Sequence, residues 1–159
     1  MNTMTFNPMA VGDFERAMLK ASWRDWLSRL TRRHNDLLSF DEVRGRLPVK
    51  GQHYLGSQIV PLDKIVGSEG HHQDFDRAFF PRQMRSKDRW IRIDQAHYAQ
   101  TPLPPVELVK IGDMYFVRDG NHRISVARAR GQDFIDAYVT EIEASLPVAP
   151  STVSAKRGS

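Results

Sequence analysis

Between Asp13 and Arg33 the apolar residues Phe14, Ala17, Met18, Ala21, Trp26, Leu27 and Leu30 recur at mostly three- and four-residue steps. That period predicts an amphipathic helix with Arg16, Lys20, Arg24 and Arg29 toward water. His34-Asn35-Asp36 breaks it, and Ser39-Phe40-Asp41-Glu42 has capping-box spacing for a short helix ending near Arg46, ahead of Pro48. This helical arm, residues 1–50, has an apolar stripe that must pack on the rest of the chain or on a second copy.

Beyond the arm the period shortens. Gln58–Pro61 reads as a short strand, Leu62–Ile65 as one helical turn, and Gly67–His72 as a loop. Asp74 or Asp76 is placed to cap a short helix over Arg77–Phe80, closed by Pro81. Lys87–Tyr98 reads as a helix with Trp90, Ile93 and His97 on one side, and Thr101–Pro105 as a stiff connection. Val106–Ile111 and Met114–Val117 flank Gly112-Asp113, a two-residue hairpin signal. A helix from Asn121 stops at Gly131, a favourable residue just past a helix end, and Phe134–Ile142 is a last strand with Ile135, Ala137, Val139 and Glu141 in phase. Helices beside a hairpin and short strands predict an α+β domain over 51–143. The Ser-, Ala- and Pro-rich segment 144–159 is expected to be a disordered tail.

Composition adds exclusions. No cysteine is present among the 159 residues, so disulfides, thiol nucleophiles and thiolate metal sites are ruled out. The apolar runs are too short for a membrane-spanning helix, and Met1–Pro8 lacks the basic start and apolar stretch of a secretory signal. A cytoplasmic protein without membrane contact is expected. The net charge of +4 is unevenly spread: 9 Lys/Arg against 6 Asp/Glu over 1–50, 12 against 13 over 51–143, and 2 against none over 144–159. Within the near-neutral middle, Arg77, Arg82, Arg85, Lys87, Arg89 and Arg92 are opposed only by Asp88. Such a run is either a solvated face or a patch that neutralises nucleic-acid phosphates.

The richest chemistry lies at Val117-Arg118-Asp119-Gly120-Asn121-His122-Arg123-Ile124-Ser125. A strand there turns at once into a helix, and a helix start offers unpaired N–H groups and the positive end of the macrodipole to an anion. Arg123 adds bidentate phosphate donors, and His122 a donor or general acid near neutral pH. Ser125 is placed either to donate to a phosphate or to satisfy a local carbonyl. Asp119 is a candidate ligand for a nucleotide-bound Mg2+, besides its role in the turn. The helix start alone contributes only about 0.3–2 kcal/mol, so useful affinity requires these side chains. Glu69 is a candidate general base, with a solvated loop carboxylate as the plainer reading. His71-His72 with Asp74 and Asp76 matches no metal-ligand spacing.

In order and motif the chain resembles the ParB/sulfiredoxin-like superfamily over roughly residues 56–142. Val60-Pro61-Leu62-Asp63-Lys64-Ile65 looks like the opening strand and turn of ParB N-terminal domains. Asp119-Gly120-Asn121-His122-Arg123 is similar to the family's Gly-x-x-Arg box, which contacts nucleotide phosphates. The resemblance implies a small mixed sheet with packed helices, and binding of ATP or CTP, with magnesium, through Asp119, Gly120, Asn121, His122, Arg123 and Ser125. It further implies nucleotide hydrolysis or phosphoryl transfer, with Glu69 in the position of the catalytic base of free-serine kinases and His122 beside it. Sulfiredoxin chemistry is excluded, because Asn121 stands where that family has its Cys. Only the tail follows Ile142, so the DNA-reading domain of a complete ParB is not expected. Fold does not settle function. The alternatives are a DNA-associated partition or regulatory module using Arg82, Arg85, Lys87, Arg89 and Arg92, and a scaffold that homodimerises through the helical arm.

Overall fold

The computed structural model describes residues 5–145. Six strands and four α-helices follow one another along the described residues: α1 (Pro8–Thr31), β1 (Leu38–Ser39), α2 (Phe40–Gly45), β2 (Val49–Pro61), β3 (Ile65–Ser68), α3 (Lys87–Tyr98), β4 (Val106–Ile111), β5 (Met114–Asp119), α4 (Asn121–Ala129) and β6 (Phe134–Ala144). The strands form one mixed sheet in the order β1-β3-β5-β4-β6-β2. β4 and β5 are the expected antiparallel hairpin, β4 runs parallel to β6, and β3 parallel to β5. The architecture is therefore α+β with a mixed sheet. No described helix is long and apolar enough to cross a membrane.

Alternation along the hairpin fills both faces of the sheet. Val106, Leu108 and Val117 point to the face covered by Ile124 and Ala127 of α4. Val109, Ile111 and Phe116 point to the other, where Phe40 of α2 meets Phe116 edge-on with centroids 5.6 Å apart. A third cluster joins Phe14 and Ala17 of α1, Trp90 and Ile91 of α3, and Val126 of α4. The helical arm is thus packed on the rest of the chain, and its β1 is an edge strand of the sheet beside β3.

Several expected boundaries move for identifiable reasons. α1 begins at Pro8 rather than near Asp13, because Asn7 caps it by accepting from the Met9 N–H at 2.9 Å and Pro8 suits the first turn. Its expected single apolar stripe divides between two faces: Phe14, Ala17 and Ala21 are buried, whereas Trp26, Leu27 and Leu30 are exposed. Arg24, expected to face water, instead donates to the buried Asp76 at 3.0 Å. β2 has 13 residues rather than four, since its mostly exposed first half is held by antiparallel pairing to β6 rather than by burial. Gly67 and Ser68, expected in a loop, end β3.

The helix expected over Arg77–Phe80 is absent. Asp76 Oδ1 instead accepts from the N–H groups of Ala78 and Phe80, and Phe79 takes a left-handed φ of 64° that interrupts any helix. β6 keeps the expected alternation, with Glu141 in phase with Ala137 and Val139 and paired with Lys110 at 3.7 Å, while Ile142 is buried on the other face beside Ile111. Ala144 closes β6, and the expected tail lies outside the described residues from 146 onward. The capping-box helix, the helix Lys87–Tyr98, and the helix from Asn121 closed by Gly131 (φ 74°) stand as expected.

Candidate functional site

β5 ends at Asp119 and α4 starts at Asn121, with Gly120 between them at φ 107°. A Cβ at Gly120 would lie 2.5 Å from Val106 Cγ1 and 2.9 Å from its Cβ, so both the conformation and the close approach to β4 require glycine. No side chain caps α4. The residues at its start border a cavity of about 400 Å3 lined by His71, Arg89, Ile93, Arg118, Asp119, Gly120, Asn121, His122 and Arg123.

His71, Arg89 and His122 also line a second cavity of about 600 Å3 with Arg85, Arg92, Asp74 and Asp88, so the two join as one cleft. The start of α4 and the outer side of α3 meet there. Two sequence candidates separated by some thirty residues, the turn and part of the basic run, therefore share one surface. Five arginines line the cleft against three aspartates. A helix start with converging guanidinium groups favours an anion.

The individual side chains differ in what they have free. Arg123 donates to the carbonyls of Pro104 (2.6 Å) and Pro105 (3.0 Å) and to Asp119 Oδ2 (2.9 Å). It thereby fastens the stiff connection before β4 to the helix start, and Asp119 is its carboxylate partner. Arg118 holds Glu69 in a bidentate pair at 2.9 to 3.2 Å. Arg85 pairs with Asp74, whose second oxygen lies 3.1 Å from His71 Nδ1. Burial acts to raise the Asp74 carboxyl, but Arg85 and His71 outweigh it and hold it below the ordinary value. Arg89 is exposed and has no hydrogen bond or ion pair among the described residues.

His122 packs edge-on against Phe75, with centroids 5.3 Å apart. Burial, then the charges of Arg89 and His71, push its imidazolium down to about 4 against a small opposing effect of Asp74. Near neutral pH the ring is therefore a neutral donor or acceptor, which leaves the donor role expected from sequence and removes the general-acid one in the free protein. Asn121 accepts from Ser68 Oγ at 3.0 Å, which ties the end of β3 to α4. Ser125 is fully buried, and its hydroxyl accepts from Trp90 Nε1 at 2.9 Å. Its role is to join α3 to α4, and it does not line the cleft.

Arg82 also leaves the expected basic surface. It donates to Asp25, to Asp36 Oδ1 (2.7 Å) and to the Asn35 carbonyl (2.7 Å), locking the chain before α3 onto α1. Lys87 does not line the cleft; Arg85, Arg89 and Arg92 do. Arg118 and His71 are the lining residues that sequence reasoning passed over as ligands. Arg118 carried a signal, since alternation along β5 puts it on the opposite face from Val117. His71 carried none. Among the described residues no group of three or more His, Asp or Glu is clustered to hold a metal ion.

Comparison with protein-family models and with curated proteins gives no match to this chain. The cleft is therefore read from its own geometry.

Proposed function

We propose that this cleft binds the phosphate groups of a nucleotide, ATP or CTP, at the start of α4. The observation that carries the reading is the convergence of the uncapped first turn of α4 with Arg89 and Arg118 on one cavity of about 400 Å3. Backbone N–H groups and guanidinium forks are complementary to phosphate oxygens, and Arg89 has no competing partner among the described residues. The strand–Asp-Gly-x-His-Arg–helix turn and the mixed sheet behind it also support a ParB/sulfiredoxin-like fold. Asp119 is the carboxylate at this end of the cleft for a nucleotide-bound magnesium ion, and Arg123 competes for it.

Phosphoryl transfer relies mainly on positioning and charge stabilisation. A phosphate that recruits Arg118 would release the Glu69 carboxylate, the base implied by the resemblance. We include turnover in the proposal on that ground, with binding as its first step.

Calorimetric titration with ATP, CTP and inorganic triphosphate tests the reading. Binding by the wild type, weakened at least about tenfold by Arg89→Ala and by Arg118→Ala, is the expected result; tenfold corresponds to about 1.4 kcal/mol. No binding of any of the three, or equal binding by both variants, would refute it. Glu69→Gln should bind the nucleotide yet lose any hydrolysis. Duplex DNA in parallel reports whether a polyanion, rather than a nucleotide, is the preferred occupant.

A further inference from the structure

α1 carries two apolar faces, and the fold uses one. At 100° per residue, Ala10, Phe14, Ala17 and Ala21 fall together and are buried against α3 and α4. Leu19, Trp23, Trp26, Leu27 and Leu30 fall together on the opposite side. Leu19, Trp23 and Leu30 are 68%, 62% and 63% exposed, and Trp23 and Trp26 stack with centroids 5.1 Å apart. Their open surface is on the order of 600 Å2 per copy, at the top of the range for a monomer's largest apolar patch. It approaches the roughly 800 Å2 per partner of a standard interface before any flanking residue is counted.

The edge of this stripe says what covers it. Glu15, Ser22 and Arg29 follow each other at seven-residue steps along one side of the stripe, and all three are exposed. Neither Glu15 nor Arg29 has a hydrogen bond or ion pair among the described residues. In an antiparallel pair related by a two-fold axis at Ser22, Glu15 of one copy meets Arg29 of the other, twice. The same register brings Leu19 to within one residue of level with Trp26 of the second copy, with Trp23 beside the axis. In a parallel pair the flank carrying Glu15 and Arg29 would face the opposite flank of the partner, so these two residues would not meet. Asp13, Glu15 and Asp25 interrupt the cations of α1, so the helix lacks the uniformly basic polar face of one that lies on an anionic membrane.

We propose that the outer face of α1 is the interface of a homodimer, two copies packing α1 against α1 antiparallel about Ser22, with reciprocal Glu15–Arg29 ion pairs. Sedimentation and light scattering of the full chain over a concentration series should give twice the 18.3 kDa chain mass. Trp23→Glu should give a monomer with unchanged circular dichroism. Glu15→Arg and Arg29→Glu should each weaken the dimer at least about tenfold, and the double exchange should restore it; these surface changes keep the test open if Trp23→Glu misfolds. Because the chain has no cysteine, Ser22→Cys should give a disulfide-linked dimer under mild oxidation. A monomer at every concentration, a dimer indifferent to these substitutions, no rescue by the exchange, or capture of the monomer by anionic vesicles through Trp23 would overturn the proposal.

Discussion

Trp90 donates its indole N–H to Ser125 Oγ across 2.9 Å, and both side chains are fully buried. The bond joins α3 to α4 one residue away from Arg89 on one helix and within the first two turns of the other. The bond therefore helps to set the spacing between α3 and α4, whose residues line the cleft together. Ser125→Ala strands the indole N–H and should cost about 1–3 kcal/mol, seen in denaturant melts. The same variant should bind triphosphate more weakly, whereas a role for Ser125 in packing alone would lower stability and leave affinity unchanged. Trp90→Phe combined with Ser125→Ala should cost less than the two single changes together.

Gly120→Ala should be among the most destabilising changes in this turn. The new Cβ would be 2.5 Å from Val106 Cγ1, on a backbone at φ 107°. Loss of more than about 2 kcal/mol is expected from clash and backbone strain together. Val106→Ala in the same chain should recover part of the loss, because Cγ1 is gone while Cβ at 2.9 Å stays. A Gly120→Ala protein as stable as the wild type would contradict the close approach of α4 to β4.

Two arginines from the same basic run should behave oppositely. Arg82 is mostly buried among Asp25, Asp36 and the Asn35 carbonyl, and removing it leaves charged partners without their cation. Arg82→Ala should lower stability by about 1–3 kcal/mol with little effect on triphosphate affinity in the folded protein. Arg89→Ala should leave the melting midpoint within about 0.5 kcal/mol of the wild type and weaken the same ligand. Thermal melts and calorimetry on both variants separate the roles, and an exchange of the two outcomes would refute the assignment.

His122 gives the binding turn a pH signature. Its imidazolium is held at about 4 in the fold, against about 6.5 in an unfolded chain. Since the unfolded state takes up the proton first, the His122 contribution is complete above pH 6.5 and is lost as pH falls toward 4. The wild type should lose stability relative to His122→Gln over that window, by up to about 3 kcal/mol. A bound phosphate would favour the imidazolium, so added triphosphate should move the His122 ring resonances to a higher midpoint in an NMR titration. A midpoint near 6.5 in the free protein would remove the burial argument.

Most of the hairpin, of α3 and of α4 could be read directly, because there the local signals and the packing agree: alternation in Val106–Val117, and a glycine at each end of α4. β2 was legible only at Gln58–Pro61. Its first nine residues, Val49–Ser57, are mostly exposed and take their extended form from β6, a partner more than eighty residues away. Asp74 and Asp76 carried a real capping signal, but long-range bonds to Arg24 and Asn35 turned that segment into a closed turn. For the cleft, the turn Asp119–Arg123 was visible as a motif. What spacing could not reveal is which guanidinium groups are already committed: Arg82 and Arg123 to the scaffold, Arg118 to Glu69, Arg89 to none of the described residues.

A buried carboxyl pair between α1 and α3 should give the opposite pH trend to His122. Asp94 is fully buried; its Oδ1 accepts from Arg130 Nε at 2.7 Å, and its Oδ2 has no donor among the described residues. Burial, followed by Asp13 alongside, pushes Asp94 up to about 6, with Arg130 opposing. Asp13 is held below its ordinary value: burial acts to raise it, and hydrogen bonds with Asp94, Tyr98 and Arg16 prevail. Asp94 is therefore the carboxyl of the pair that takes up a proton first, and it does so as pH falls through about 6. Because its folded value exceeds the unfolded value of about 3.9, the fold gains from protonation below about pH 4 and loses that gain as pH rises through 6. Asp94→Asn imitates the protonated form at every pH. Its stability relative to the wild type should therefore climb by about 2 kcal/mol from pH 4 to pH 7, on top of any constant offset from the weakened Arg130 contact. Denaturant midpoints at unit steps of pH measure this difference, and a flat line across that range would show that Asp94 takes up no proton there.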